Sequence, residues 1–340
     1  MNWNTIDLVA LSLVSRKHAA DRIGVTRNYP TFLDAVQSLD FHEESLIAGA
    51  QSIIDDCDRL GVHVIGWGDD RYPSRLRSVL KPPLVIYVWG TLPDPSWKSV
   101  AVVGTRTCTT LYGKPATDAL VKRWVEVGLV IVSGLANGID TLAHEACLRM
   151  HGTTVAVIAS GMNRILPQTA ERLAHMIVDE GGAVISEYPP HVAALPHYFP
   201  ARNRIINGVS DAVVVIESKE SGGALITADF AIENGRPVWA VPGPITSSRS
   251  IGTNALIRDG KARILTSADD LLESLGLSAG DARRRPLPTD LALLGGEELG
   301  IDEIARRWTC SVSEALTRMA EHEFAGFVRQ LPGQRFVTDS

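Results

Sequence analysis

Apolar side chains change their spacing along this chain, and each change marks a different kind of element. Near the start they recur at helical intervals. Ile6, Leu8, Val9, Leu11, Leu13 and Val14 begin one amphipathic segment, Phe32 to Leu39 a second and Ala48 to Leu60 a third. This predicts a small helical domain over 1–66, a packing or partner-binding module. A DNA-binding helix-hairpin-helix has little support, because Gly24 stands alone. From about residue 62 the pattern turns to short apolar runs, glycine loops and helical stretches in alternation. The runs are Val62–Trp67, Leu84–Trp89, Ser99–Val103, Leu129–Val132, Thr154–Ile158, Ala183–Ile185, Ala212–Ile216 and Pro237–Val241. Helical spacing intervenes at Tyr112–Glu126, Ile139–Met150, Ala170–Glu180, Ala224–Asn234 and Asn254–Arg258. Strands without polar alternation are buried on both faces, and strands alternating with helices predict a parallel, doubly wound α/β sheet over 67–277.

The stretch Leu129–His144 shows the pattern most clearly. Leu129, Val130, Ile131 and Val132 form a buried strand, Ser133-Gly134 breaks it, and Gly138 permits a second tight turn. A helix starts at Ile139, with Asp140 placed to cap its first turn. A glycine turn between a buried strand and a helix N-terminus presents unpaired N–H groups to an anion. Other strand ends carry similar loops: Gly104-Thr105-Arg106, Ser160-Gly161-Met162-Asn163, Glu187-Tyr188-Pro189-Pro190, Glu217-Ser218 and Pro242-Gly243-Pro244. In a parallel sheet these emerge at one carboxyl edge and are expected to converge into a composite site.

A linker is expected at 278–289, where Arg283-Arg284-Arg285 lies between Gly280 and two prolines. Ile301–Trp308, a break at Thr309–Ser311 and Val312–His322 then give helix, turn, helix. Phe327-Val328-Arg329, a Pro332-Gly333 turn and Arg335-Phe336-Val337 add a hairpin, the outline of a winged helix over 290–340. Glu297, Glu298, Asp302, Glu303, Glu314, Glu321 and Glu323 outweigh its arginines, which favours a protein partner over DNA phosphates.

Composition narrows the classes. The 340 residues are 45% hydrophobic, with a net charge of −6, so any nucleic-acid binding requires a local patch rather than an overall field. No apolar run suits a bilayer and no secretory leader is evident, so a cytoplasmic protein without membrane contact is expected. Four scattered cysteines, Cys57, Cys108, Cys147 and Cys310, have no metal-ligand spacing and read as reduced thiols; no metal is expected.

Arg106 follows Val102-Val103-Gly104-Thr105 at a strand end, where a guanidinium can hold a phosphate bidentately. The competing account is an ion pair with Asp140 or Glu187. Lys114, after Tyr112-Gly113, is a ligand contact or a solvated helix residue. In His197–Gly208, Arg202-Asn203-Arg204 follows aromatic residues, a combination suited to single-stranded nucleic acid. One of the two arginines is expected to pair inside the fold with Glu187 or Glu217 and at least one to touch ligand. Ser221-Gly222-Gly223 opens a further helix that carries Thr227. Asp140 and His144 share a helix face, and a structural hydrogen bond between them is expected rather than acid–base chemistry. A Walker lysine, a Gly-x-Gly-x-x-Gly turn and a nucleophile elbow are all missing, so the sequence offers binding without an evident reaction or cofactor, and no catalytic residue is expected.

At these residues the chain resembles the bacterial DNA-processing protein A family (DprA, also called Smf). The likeness runs in order from Tyr72-Pro73 and Pro82-Pro83 through Val102–Arg106, Tyr112-Gly113, Ile131–Asp140 and Ala143-His144. It continues through Ser186–Pro190, Phe199–Ile206, Ser221-Gly222, Leu225–Ala228 and Val241–Gly243. It implies an extended Rossmann-like fold flanked by a small N-terminal helical domain, of the sterile-alpha-motif or helix-hairpin-helix kind, and a C-terminal winged helix. It further implies single-stranded DNA binding, dimerisation through the Rossmann-like domain, and RecA loading onto incoming strands during natural transformation. The DNA-binding residues implied or read from the loops are Gly104, Thr105, Arg106, Lys114, Gly134, Asn137, Gly138, Arg164, Arg202, Asn203, Arg204, Ser221, Gly222 and Thr227. Two positions depart from the pattern. Leu166-Pro167-Gln168 with Ala170 replaces a Tyr-Pro-Lys and a later Asn, and Leu195-Pro196 replaces a basic residue. Fewer cations would lower affinity and flatten its salt dependence, with Arg164 and His197 as replacements.

The alternative is a nucleotide-binding or nucleoside-monophosphate-processing protein on a related scaffold. Such phosphoribohydrolases carry Pro-Gly-Gly-x-Gly-Thr and a downstream Glu, whereas this chain has Ser221-Gly222-Gly223-Ala224-Leu225-Ile226-Thr227. A third possibility is an interaction scaffold using the acidic winged helix.

Overall fold

Nine apolar strands build the main sheet: β1 (Val62–Gly66), β2 (Val85–Gly90), β3 (Ser99–Val103), β4 (Val130–Ser133), β5 (Thr154–Ile158), β6 (Ala183–Ser186), β7 (Ala212–Val215), β8 (Val238–Ala240) and β9 (Arg263–Ile264). Their order is β1-β2-β6-β5-β4-β3-β7-β8-β9. The seven strands from β6 to β9 are parallel, and the antiparallel pair β1–β2 extends them at the β6 edge. In this computed structural model the described residues are 3–14, 22–29, 31–38, 42–277, 289–292, 294, 298–324, 327–333 and 335–338.

The continuous apolar runs serve two cores at once. Val100 and Val102 of β3, Ile131 of β4 and Val214 of β7 face one side of the sheet, where they meet Val121, Trp124, Ile139 and Ala143. Ala101, Val103, Val132, Val213 and Val215 face the other, against Ile205, Ile206, Ala224 and Ala228. On the first side lie helices from among α1 (Thr5–Leu13), α2 (Arg22–Asn28), α3 (Phe32–Ser38), α4 (Glu43–Arg59), α5 (Ser74–Arg77), α6 (Gly113–Glu126) and α7 (Ile139–Arg149), namely α6 and α7. Further along come α8 (Gln168–Asp179), α9 (Tyr198–Gly208), α10 (Gly223–Glu233), α11 (Ile251–Arg258) and α12 (Ala268–Ser274). Of these, α9 and α10 cover the second side. The sheet is therefore doubly wound and Rossmann-like, as expected.

The expected boundary at residue 66 does not separate two units. The segment 1–66 includes β1, which pairs with β2, and Leu8, Leu11, Phe32 and Ala50 share a core with Val62, Val85 and Tyr87. The first helices and the sheet thus lie in one compact unit, 1–281. The linker expected at 278–289 lies outside the described residues, apart from Thr289, which opens α13 (Thr289–Ala292). The apolar spacing does not predict α9 as a helix, nor α2, α5, α12 and the two-residue β9.

The second unit, 282–340, is the expected winged helix. It contains α13, β10 (Leu299–Gly300), α14 (Ile301–Arg307), α15 (Val312–Phe324), β11 (Val328–Leu331) and β12 (Arg335–Thr338), with strand order β10-β12-β11. Leu291, Ile304, Ala315, Met319, Val328 and Phe336 form its core. Glu314, Glu321 and Glu323 of α15 are exposed, and the Arg318 guanidinium stands 6.0 Å from the Trp308 ring centroid. Among the described residues, no helix is long and apolar enough to cross a membrane.

Candidate nucleic-acid interface

Adjacent strands β3 and β7 send their chains to opposite faces of the sheet, β3 onward to α6 and β7 onward to α10. Such a reversal opens a crevice at the carboxyl ends of the two strands. A cleft of about 750 Å³ occupies this place. Gly104, Thr105, Arg106 and Thr107 line it from the β3 side, with Ala136 and Asp140 from the β4–α7 turn. Pro196, Phe199, Pro200, Arg202, Asn203 and Ile206 come from α9 and the chain before it. Ser218, Lys219, Ser221, Gly222, Gly223, Ala224, Ile226 and Thr227 close it from the β7–α10 side.

Arg106 is exposed, and its guanidinium lies 5.6 Å from the centroid of the Phe199 ring. Neither ion pair considered from the sequence forms: Glu187 binds Arg204, and Asp140 turns inward. The Arg106 backbone is held by close approach. Gly138 sits at φ +85°, and a Cβ there would collide with Thr105 O and the Arg106 backbone. The Ile139 N–H donates to Thr105 O at 3.2 Å, and the Thr105 N–H donates to Glu217 O at 2.8 Å. Opposite, α10 begins with Gly222 as its N-cap and no side-chain cap, so its first N–H groups open onto the cleft. A cation without an ion pair among the described residues, an uncapped helix end and an aromatic face together have the chemistry to receive a phosphate with a ring attached.

Behind the cleft wall lies a buried polar cluster. Arg202 Nη1 donates to Gly134 O at 2.5 Å and also to Val157 O, tying α9 to the ends of β4 and β5. The Gly134 N–H donates to Asp140 Oδ2 at 3.1 Å. Asp140 thus reaches back to the loop from within the first turn, while Gly138 takes the cap position expected of it. Burial pushes the Asp140 carboxyl up to about 6, against the pull of Arg202, the Ala136 and Gly134 N–H groups and Arg106. Burial also lowers Arg202 to about 10, opposed by Asp140, so both groups are charged at neutral pH. The expected Asp140–His144 hydrogen bond does not form. His144 Nδ1 instead lies 2.7 Å from Thr154 Oγ1, whose hydroxyl donates to Ile131 O at 2.8 Å. The hydroxyl proton is committed to that carbonyl, so Nδ1 carries the ring proton. His144 stays neutral, with burial and then Arg202 lowering it to about 3.

The structure brings Gly104, Thr105, Arg106, Arg202, Asn203, Ser221, Gly222 and Thr227 to the cleft. Gly134 and Gly138 shape its wall from behind. Lys114, Asn137 and Arg164 are exposed but outside the cleft lining. Arg204 is turned into the fold: Nη2 pairs with Glu187 at 2.5 Å, Nε donates to Lys81 O at 2.9 Å and Nη1 to Ala201 O at 2.9 Å. The composite edge is narrower than expected. The loops after β5 and β6 turn onto each other, with Gly161 N–H donating to Val192 O at 2.8 Å and Asn163 N–H to Pro190 O at 3.0 Å. Glu217 is buried and anchors the start of α6, accepting from the Thr109 N–H at 2.8 Å and its hydroxyl at 2.6 Å. Lys219 was missed, although a cation three residues beyond the run Ala212–Ile216 repeats the logic that singled out Arg106.

A family model described as DNA recombination-mediator protein A matches residues 63–276, which include both walls of this cleft. The chain belongs to that family. A DprA winged helix domain model matches residues 291–334, the second unit. Protein Smf of Escherichia coli K12 is 33% identical over 335 residues, covering 94% of this chain and 88% of its own. The X-ray structure of DNA processing protein A from Streptococcus pneumoniae is 32% identical, with a TM-score of 0.65 and coverage of 80% of this chain and 98% of that one. DNA processing protein A from Helicobacter pylori, a structure described for its single-stranded DNA binding mode, is 26% identical with a TM-score of 0.56. It covers 63% of this chain and 95% of its own. Family membership accounts for the linear order of the motifs, and the geometry explains why this chain has glycine at 138 and what Arg202 ties together.

Proposed function

We propose that this chain is a single-stranded DNA-binding recombination mediator that receives the strand in the β3/β7 cleft. Arg106 carries the reading: it is an exposed arginine at a switch-point cleft, unpaired with any carboxylate among the described residues, and beside an aromatic ring. Lys219 and the open first turn of α10 supply further positive potential, and Phe199 supplies a face for a base. The net charge of −6 is no obstacle, because the receptor is local. The same reading makes the chain a binder without bond-making chemistry. It covers incoming single strands, assembles as a homodimer through the Rossmann-like domain and helps load RecA during natural transformation. These steps are supported by membership in the family, and the acidic α15 supports a protein-contacting winged helix.

The test is fluorescence anisotropy with a labelled oligo-dT, competed by unlabelled single strand, by duplex of equal length and by adenosine monophosphate. Single strand is expected to compete well and duplex weakly, with no ribose 5-phosphate released from the nucleotide. Release of ribose phosphate would support a phosphoribohydrolase instead. No binding at low salt would overturn the mediator reading.

A further inference from the structure

Two apolar side chains stand almost fully in solvent beside the cleft. Leu111, before α6, and Ile245, after β8, are each 93% exposed. Singly, an exposed apolar side chain needs no explanation. These two sit at the tips of ordered loops tied to each other and to the cleft wall. The Tyr112 hydroxyl donates to Pro242 O, next to both residues' loops. The Ser247 N–H donates to Pro244 O at 3.0 Å, forming the turn that lifts Ile245 outward. Asn254 clamps the base of that loop, accepting from the Gly243 N–H at 3.1 Å and donating to Gly243 O at 3.0 Å. Arg249 joins the loop to the cleft: its Nε donates to Thr107 O, and its carbonyl accepts from the Ser218 N–H at 2.7 Å. Thr107 and Ser218 both line the cleft.

We infer that a single strand held in the cleft continues across this rim, where Leu111 and Ile245 take the faces of its bases. The inference rests on the proposed function and extends it by naming the path and the contacted part of the nucleotide. An aliphatic tip cannot hold a phosphate, but it covers the apolar face of an unpaired base. Duplex DNA offers no such face, because its bases are stacked. The flanking charges fit the same occupant: Lys114 is exposed one turn from Leu111, and Arg249 lies at the foot of the Ile245 loop. The cleft thus grips the backbone, and the rim adds preference for unpaired bases.

The experiment compares wild type with the double variant Leu111→Ser, Ile245→Ser on oligo-dT of increasing length across a salt series. Both substitutions are at exposed positions, so the fold is expected to persist. Oligonucleotides of about five nucleotides, within the range one site accommodates, are expected to bind both proteins equally. Strands of about twenty are expected to bind the variant five- to tenfold more weakly, with an unchanged salt slope because no phosphate contact is lost. Equal affinity at every length would overturn the inference while leaving the cleft intact. A reduced salt slope would overturn it too, by assigning the rim to phosphates. Loss of a wild-type dimer in the variant, with oligonucleotide affinity unchanged, would give the rim to a second copy. Failure of wild type to bind any length would instead remove the proposed function itself.

Discussion

Strands β3, β4 and β7 end in two very different places. At their amino ends, the two arginines that line the nearby space, Arg71 and Arg75, each have a carboxylate. Asp211 accepts from Arg75 at 3.0 Å, lies 3.8 Å from Lys98 and takes the Ser99 N–H at 2.8 Å, while Arg71 pairs with Asp69 at 2.7 Å. The space between them is a small cavity of about 60 Å³ against Leu92, Trp97, Val130, Val155 and Val209. At their carboxyl ends the cleft is about 750 Å³, and Arg106 faces it with no ion-pair partner among the described residues. Both ends carry arginines. What separates them is whether a carboxylate already neutralises the guanidinium, so a count of basic residues does not locate a binding site.

The comparison breaks most visibly at Arg202, a cleft-lining arginine whose contacts nonetheless resemble those of the amino end. Arg202→Ala removes the links to Gly134 and Val157 and leaves Asp140 buried without its countercharge. A loss of about 3–5 kcal/mol in urea unfolding is expected. A loss below about 1 kcal/mol would instead make Arg202 a ligand-facing residue like Arg106.

The next effect is in the pH dependence of stability. Asp140 is raised from 3.8 to about 6, so between those values the folded state holds a proton that the unfolded chain lacks. His144 is lowered from 6.5 to about 3, so over the same range the unfolded chain holds a proton that the folded state lacks. The two contributions have opposite signs and cancel between about pH 4 and 6. Asp140→Asn leaves only the histidine, whose contribution is lost as pH falls. The stability of the variant relative to wild type should therefore rise by about 1.4 kcal/mol per pH unit from pH 4 to 6. A parallel pair of stability curves would contradict the assignment.

Smallest is Arg75→Ala at the amino end. About 1 kcal/mol of stability is expected to go with its half-buried pair, with oligonucleotide affinity unchanged. A matching loss of affinity would show that the two ends are not functionally distinct.

These contrasts were only partly legible in the sequence. The strands could be read because their apolar runs are continuous, and Arg106 because it directly follows one. Helix α9 was hidden: Arg202, Asn203 and Asn207 are buried polar residues on its inner face, which blurs the apolar period, and Pro200 reads as a break although the first turn of a helix tolerates it. Arg204 could not be separated from Arg202 by spacing, because what distinguishes them is Glu187 on a different strand end. Likewise, the partner of His144 is Thr154, the first residue of the next strand, whereas the i, i+4 relation suggested Asp140. Helical periodicity reports which residues share a face. It does not report which of them a neighbouring element reaches first.

The most direct test is the salt dependence of oligo-dT binding for wild type and Arg106→Ala. An exposed residue with no ion pair among the described residues is expected to leave stability within about 0.5 kcal/mol of wild type when replaced. Binding should fall at least tenfold, and the slope of log affinity against log salt should shrink by about 0.7, the value for one phosphate contact on a single strand. A variant that keeps both the affinity and the slope of wild type would contradict the claim that the carboxyl end of β3 holds the DNA backbone.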